Sequence, residues 1–584
     1  MAHASWAAKA RIVGVMGMLI GGATLAQTTP SVVPTAKELQ PKPTLPPSTA
    51  QVPDSPAELP RELGKPDEDV RINVERYSVN DSAPPALRAK LAELTRDFTG
   101  KNRSFEDLNN ARVEVTRFLQ SELGYYLGYA YIPEQRFQDG VVRIAVLEGR
   151  LDKVVLNWPA GKDMPVKQDV VQAYLDHLEE GGILLVRDVE RVVFLVNDLR
   201  GMHARFDLQP GSKPGTANIV VTPVAESVWS GKVEADVNGS RFLGSDRLGG
   251  LVQMNSPFGR GDVLTTNALA STTGGLGFGL LSYTTPVGSN GIKVGASISG
   301  VKYQLDKQLF PLDLNGIAVT TSAYGLYPVI RSRNLNLFTL GTAEHKAYDD
   351  RQSAADSLVK KSADTLALGA VGDFRDAVLG GGVSTYDALL TSGRVKYPKG
   401  RPGGLEDAPS FTKFTFGYSR LQDLLFAAPS LQDKRSGKVL GYVSVRGQFA
   451  LANLDTTEQF RLGGPDGVRA FAPGEGTGDE GVVMNLEARL LPPESWFGAV
   501  SSELVLSAFV DAGFVRYRHQ TSTATVGTLP NTEVFTAVGL GLSWVRPAEY
   551  ALRASLAAPI SGVPRNDPQV RSPRLYLLAT KYFN

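Results

Sequence analysis

Apolar and polar residues alternate with two different periods along this chain, and the change falls near Val228. Beyond it helical spacing disappears and the period becomes two. Lys232, Glu234, Asp236 and Asn238 alternate with Val233, Ala235 and Val237. Phe414, Phe416 and Tyr418 alternate with Lys413, Thr415, Gly417 and Ser419. Val443, Val445, Gly447, Phe449 and Leu451 alternate with Ser444, Arg446 and Gln448, and Met484, Leu486, Ala488 and Leu490 with Asn485, Glu487 and Arg489. Val534, Val538, Leu540, Leu542 and Trp544 continue the theme. A period of two predicts strands, and these runs have about the length a tilted strand needs to cross a bilayer. A soluble β-sandwich also alternates, but it buries one face and makes that face apolar. Here the second face carries Lys, Glu, Arg and Asp. The pattern therefore predicts a transmembrane antiparallel β-barrel over 228–584, apolar outside and polar within.

Before the switch the chain reads as two small α+β modules, 70–152 and 153–227. In the first, Ile72 to Val79 reads as a strand, and Leu87, Leu91, Leu94 and Phe98 recur at helical spacing. Ser104 and Asp107 form a loose capping box before a helix bearing Leu108, Ala111, Val115 and Phe118. Tyr129 to Ile132 reads as a strand, Asp139-Gly140 as a hairpin turn, and Val142, Ile144 and Val146 as the inward side of the next strand. In the second module Val154 to Leu156 is a strand. Val170, Val171, Tyr174 and Leu175 predict a helix stopping at Gly181-Gly182, and Val189, Val192, Val193 and Val196 a second helix. Ala204, Phe206 and Leu208 then alternate, Pro210-Gly211 and Pro214-Gly215 mark a turn, and Ile219 and Val221 complete the last strand. The repetition of one element order strengthens both readings.

The N-terminus reads as a secretory signal over 1–26: Lys9 and Arg11 precede an apolar stretch that ends at Thr24-Leu25-Ala26. That stretch is short for a membrane-spanning helix of about 20 residues. Residues 27–69 are rich in proline, including Pro41, Pro43, Pro46 and Pro47, and predict an extended linker with a faint helical signal near Thr35 to Gln40. Since no later stretch is apolar enough to span as a helix, a membrane location requires a closed barrel, in which every strand backbone group is paired.

Composition narrows the chemistry. Lys plus Arg total 61 and Asp plus Glu total 60, which gives no reason to expect a nucleic-acid partner. The chain has no cysteine, so disulfides, thiolate metal sites and thiol nucleophiles are excluded. The five histidines, at 3, 177, 203, 345 and 519, make no ligand pair at metal spacing. Gly275, Gly277 and Gly279 lie among strands with no following helix, and Gly474 to Gly478 lacks the lysine of a phosphate loop. No catalytic, cofactor or metal site is expected.

One constellation remains. Arg469 sits in the Gly-rich run Gly463 to Phe471, and Asp511 lies in Phe509-Val510-Asp511-Ala512-Gly513. On that strand Asp511 shares a face with Ser507, Phe509 and Gly513, opposite Leu506, Ala508 and Val510. Glu487 shares a face with Asn485 and Arg489 on the preceding strand. These groups suit two readings: an ordinary polar lumen wall, or a docking wall on which Asp511 and Glu487 hold an inward loop through the planar fork of Arg469. The modules likewise suit two readings, as spacers or as sheet edges that an extended polypeptide joins by strand addition.

The assembled pattern resembles the two-partner secretion transporters, the haemolysin and filamentous-haemagglutinin secretion and activation family of POTRA-bearing outer-membrane barrels. The resemblance rests on Phe137 to Gly140 with Val146 to Leu151, on Asn197 to Gly201 with Leu208 to Gly211, on Asn255 to Asp262, on Val468 to Phe471 and on Phe509 to Gly513. It implies two POTRA modules, a sixteen-stranded barrel in the Gram-negative outer membrane, and modules in the periplasm. It further implies export of a large secreted exoprotein, haemolysin- or adhesin-like, by a protein that works as a monomer among outer-membrane lipids without enzymatic activity. The inward loop would dock through Val468, Arg469 and Phe471 against Asp511, Gly513 and Glu487. The sequence departs from the family at Ala470, where glycine is usual, at Arg200, where proline is common, and at Asn584, which follows the expected terminal aromatic. An assembly or insertion factor for outer-membrane proteins, from the same superfamily, is the alternative.

Overall fold

The computed structural model describes residues 32–41, 52, 71–81, 83–137, 139–161, 163–310, 313–400, 407–424, 437–521, 530–567 and 573–583. The signal at 1–26, most of the linker and Asn584 lie outside the described residues.

Alternation produces the barrel. Sixteen antiparallel strands, from Trp229–Asp236 to Arg574–Phe583, close on themselves. Val233, Ile298, Leu366, Leu390 and Leu540 project outward as exposed large apolar side chains, which lipid accommodates and water does not. Lys361, Asp373 and Asp511 face inward and are buried. The closing strand takes one defined register, with Phe583 opposite Gly231 and Leu578 opposite Asp236. Tyr576 is then buried on the lumen side, while Phe583 is exposed on the outer face. The Phe583 ring lies over Gly231, where a Cβ would come within 2.6 Å of it.

The modules follow a shared plan with local differences from the sequence reading. In each, a short strand lies parallel to a central strand that pairs antiparallel with a third: Arg76–Val79, Val141–Leu147 and Tyr129–Tyr131 in the first, Arg150–Leu156, Thr216–Ala225 and Met202–Pro210 in the second. Helices Pro85–Leu94 and Phe105–Arg117 cover the first sheet, and Gln168–Leu175 and Val186–Asn197 the second. The Ser104 cap forms as its residue types require: its hydroxyl accepts from the Asp107 N–H, and the Asp107 carboxylate accepts from the Ser104 N–H.

Four expectations are corrected. The strand Ile72 to Val79 breaks at Glu75, whose N–H bonds Gly140 O instead of a strand partner. Ile72–Val74 pairs with an extra strand, Gly100–Arg103, between the helices. Asp139 and Gly140 do turn with positive φ, but the strands they join, Tyr129–Tyr131 and Val141–Leu147, are separated by a longer loop. The helix expected to run to Gly181 ends at Leu175, and Gly181 instead donates its N–H to Leu151 O.

Candidate functional site

The long connection 451–479, between strands Val439–Ala450 and Glu480–Leu490, folds back into the lumen. A two-residue ladder, Phe460–Arg461 with Thr477–Gly478, pinches its base. Its tip turns sharply: Val468 N–H donates to Leu462 O at 2.8 Å, and Phe471 N–H to Val468 O at 3.1 Å. Leu462, Val468, Ala470 and Phe471 are all buried, so the tip anchors by apolar packing as well as by charge. Ala470 fits without a positive φ, which accommodates its departure from glycine.

Arg469 is the polar centre. Its Nε and Nη2 donate to the Asp511 carboxylate at 2.9 and 2.7 Å, its own backbone N–H adds a third bond at 3.0 Å, and Nη1 reaches Glu487 at 2.8 Å. Asn485 donates to Asp511 at 2.7 Å and to Gly467 O at 2.9 Å. Asp511 therefore receives four hydrogen bonds while its side chain is wholly shielded from solvent (0%). Such saturation is what a buried carboxylate needs. Beneath the guanidinium lies the Phe509 ring, 3.3 Å from Cζ to centroid, a contact that favours arginine over lysine.

The remaining candidates fall around this pair. A Cβ on Gly513 would sit 2.9 Å from Val468 Cγ2 and 3.1 Å from Leu462 Cδ2, so glycine makes room for the loop. Phe471 stacks on Phe535 with ring centroids 4.4 Å apart, and its carbonyl accepts from the Tyr576 hydroxyl at 2.9 Å. Val468, Arg469, Phe471, Glu487, Asp511 and Gly513 thus form one contiguous site. Arg489 extends it, pairing with Glu487 at 2.7 Å and lying over Tyr442.

Sequence reasoning missed the loop's other anchor. Asp455 meets Lys361 at 2.8 Å, and Glu458 meets Lys346 at 2.8 Å and Lys413 at 2.9 Å. Burial opposes ionisation of Glu458, but Lys346 and Lys413 overcome it and hold its carboxyl well below the usual range. The signal was available as inward lysines on three strands facing an Asp-x-x-Glu segment, but nothing in the sequence says which loop they meet. Near the outer mouth Glu475 accepts backbone N–H bonds from Arg565 and Asp567, and burial pushes its carboxyl up.

Residues 32–41 also enter the lumen. Thr35 caps a single helical turn, Ala36–Leu39. Val32, Val33 and Ala36 pack among Phe242, Phe278 and Tyr303. Arg461, at the loop's base, pairs with Glu38 at 2.9 Å and donates to Val33 O at 2.7 Å. The linker's prolines do not prevent this turn, because the first proline after it is Pro41. Among the described residues, no cluster of His, Asp or Glu is arranged to hold a metal ion.

Comparison with known proteins gives the same architecture. Residues 215–543 match the family described as haemolysin secretion/activation protein ShlB/FhaC/HecB, and residues 73–149 match the ShlB-type POTRA domain. The heme/hemopexin transporter protein HuxB of Haemophilus influenzae (strain 86-028NP) is 25% identical over 81% of this chain and 80% of its own length. The outer membrane transporter CdiB of Dickeya dadantii is 23% identical over 75% of each. Among solved structures, CdiB from Escherichia coli superposes with a TM-score of 0.67 at 18% identity, covering 91% of this chain and 94% of that one.

Proposed function

We propose that this chain, which belongs to the haemolysin secretion/activation family, exports one large, extended exoprotein through its barrel, and that loop 451–479 is both the gate of the resting pore and, when docked on the lumen wall, a part that export requires. It is an outer-membrane transporter of the two-partner secretion class, a closed barrel carrying POTRA modules in the periplasm. The observation that supports the gate is the bidentate Arg469–Asp511 pair, buried at the lumen wall and braced by Glu487. A buried pair of this kind favours one loop position over all others. Residues 32–41, held on the same loop through Arg461, add a second obstruction.

The client is haemolysin- or adhesin-like; the relatives named heme/hemopexin transporter protein favour a client that handles heme or hemopexin. The modules capture it by lending a sheet edge, which gives main-chain affinity with loose sequence demands. The transporter acts as a monomer among outer-membrane lipids and carries out no chemistry. Folding of the client outside the cell prevents its return and drives export.

Co-expression with a candidate exoprotein tests this reading. Full-length protein releases the client into the medium. A variant lacking 71–226 inserts its barrel but leaves the client in the periplasm. Equal release by both would remove the modules from the mechanism.

A further inference from the structure

The outer, lipid-facing wall of the barrel is interrupted by a trench. Across the strands from Ser410–Leu424 to Thr532–Arg546, one outward row pairs Gln422, Gly441, Ala488, Ala508 and Leu540 in register. Gly441, Ala488 and Ala508 are too small to fill their stretch of wall, and a groove of about 760 Å³ runs over them. The next outward row, Arg420, Val443, Leu486, Val510 and Val538, forms its edge. Lumen-facing Tyr442, Glu487 and Phe509 border the groove only where each lies between two outward neighbours, so it opens to lipid. We propose that this trench seats one phospholipid of the periplasmic leaflet, with an acyl chain over the small residues and a zwitterionic headgroup on the Arg420–Asp376 pair.

The polar end of the trench is built to meet a headgroup. An arginine on the lipid side of a barrel is costly toward the bilayer midplane and cheap near the interface. Arg420 donates through Nη1 and Nη2 to the two oxygens of Asp376 at 2.7 and 2.8 Å. Nη1 also donates to Ser384 at 3.0 Å and Nε to Gln422 at 2.8 Å. Among the described residues these bonds use four of the five guanidinium hydrogens, and the last, on Nη2, is left for a phosphate oxygen. Asp376 accepts these two bonds and one from the Val378 N–H at 3.0 Å, which leaves it a lone pair for an ammonium group. The pair carries no net charge, so it complements a headgroup that bears both signs better than one that is only anionic.

The periplasmic connections on either side set the depth. Gln422 Nε2 donates to Val378 O at 2.9 Å and Gly381 O at 3.0 Å, fixing the turn 377–381. That turn exposes Val378 and Leu379, the latter by 77%. On the other side, connection 491–503 exposes Trp496 and Phe497. Glu503 at its end accepts from the Trp544 indole N–H at 2.7 Å, and Trp544 lies opposite outward Leu504. Exposed aromatic and aliphatic side chains of this kind mark the level of the lipid headgroups. The trench is thus continuous with the lipid-facing wall, and its charged end lies at the interface.

Native mass spectrometry of the full chain tests the site without any client, so its outcome is independent of the export reading. The protein is held in mild detergent with equal amounts of palmitoyl-oleoyl phosphatidylethanolamine and phosphatidylglycerol. One retained lipid is expected, with phosphatidylethanolamine preferred. Ala488→Leu with Ala508→Leu fills the trench with side chains that suit a lipid-facing wall. Retention should fall by about tenfold, the effect of roughly two fewer buried CH₂ groups, in a barrel that stays heat-modifiable. Arg420→Gln with Asp376→Asn should keep the lipid but lose the preference. Ala343→Leu, in register with exposed Leu366 on the outer face away from the trench, should change nothing. The proposal is overturned if the wild type retains no lipid, if it holds phosphatidylglycerol as well or better, or if a second copy of the chain covers the trench. Wild-type retention in the filled variant, or equal loss in Ala343→Leu, overturns it as well.

Discussion

Arg469→Ala isolates the gate from the barrel that carries it. The substitution removes the guanidinium bonds to Asp511 and Glu487 and the contact with Phe509. Asp511 keeps only Asn485 and the residue 469 N–H. Removing one partner from a buried pair costs about 3–5 kcal/mol. At about 1.4 kcal/mol per tenfold, the docked loop loses roughly a hundred- to several-thousandfold of its advantage. The strand ladders beside it are untouched, with Asn485 still opposite Asp511 on the wall. The variant should therefore insert and show normal heat-modifiability while its loop becomes protease-sensitive and its client stays inside. Arg469→Lys should fall between, since an ammonium keeps the charge but cannot form the planar fork. Adding Asp511→Asn to Arg469→Ala should recover part of the lost stability by removing the orphaned charge, without restoring release. Wild-type release with wild-type loop protection in Arg469→Ala would refute the docking argument.

Further tests address other parts of the molecule. Glu458→Gln leaves Lys346 and Lys413 buried without their shared carboxylate; loop protection should drop by about 3–5 kcal/mol in hydrogen exchange, and an unchanged exchange pattern would dismiss the second anchor. Gly513→Ala places a methyl against Val468 and Leu462 and should cost about 1–3 kcal/mol of loop docking by overpacking, read as faster loop proteolysis. Ser104→Ala should destabilise the first module by about 1 kcal/mol. The Ser104 N–H and hydroxyl hold the Asp107 carboxyl below its usual range. Because that folded-state value is depressed, its contribution is present above the unfolded carboxylate value of about 4. It is lost as pH falls through the folded value. Hydrogen exchange of the helix Phe105–Arg117 should show that acid sensitivity in the wild type and less of it in Ser104→Ala.

The barrel was legible because a period of two with one charged face has few other physical explanations. Asp511 and Glu487 could be placed on the inner wall from that period, and Gly513 falls on the same face as Asp511, whereas Arg469, on a Gly-rich loop, was set against them by its charge and by the family resemblance. Phe509 also fell on that face, yet an aromatic under a guanidinium has no spacing signature. The lysines at 346, 361 and 413 were unassignable because strand alternation tells which wall a residue faces, not which loop crosses the lumen to meet it. Local errors in the modules have local causes. Glu75 leaves its strand to bond Gly140, and the helix ends at Leu175 rather than at the glycines that follow. The faint helical signal near Thr35 to Gln40 in the proline-rich linker corresponds to the turn Ala36–Leu39; one turn has almost no propensity of its own, and packing on Phe242, Phe278 and Tyr303 holds it.

Passage of a polypeptide through the lumen is tested most directly by photo-crosslinking from two adjacent positions during export. Ser297 hydrogen-bonds Ser322 and lies in register between lumen-facing Gly295 and Ser299, whereas Ile298 is exposed on the outer wall. A photoreactive residue at 297 should yield a client adduct that depends on active export, and the same residue at 298 should yield lipid adducts only. Client adducts at 298, or none at 297 while client accumulates outside, would contradict export through the barrel.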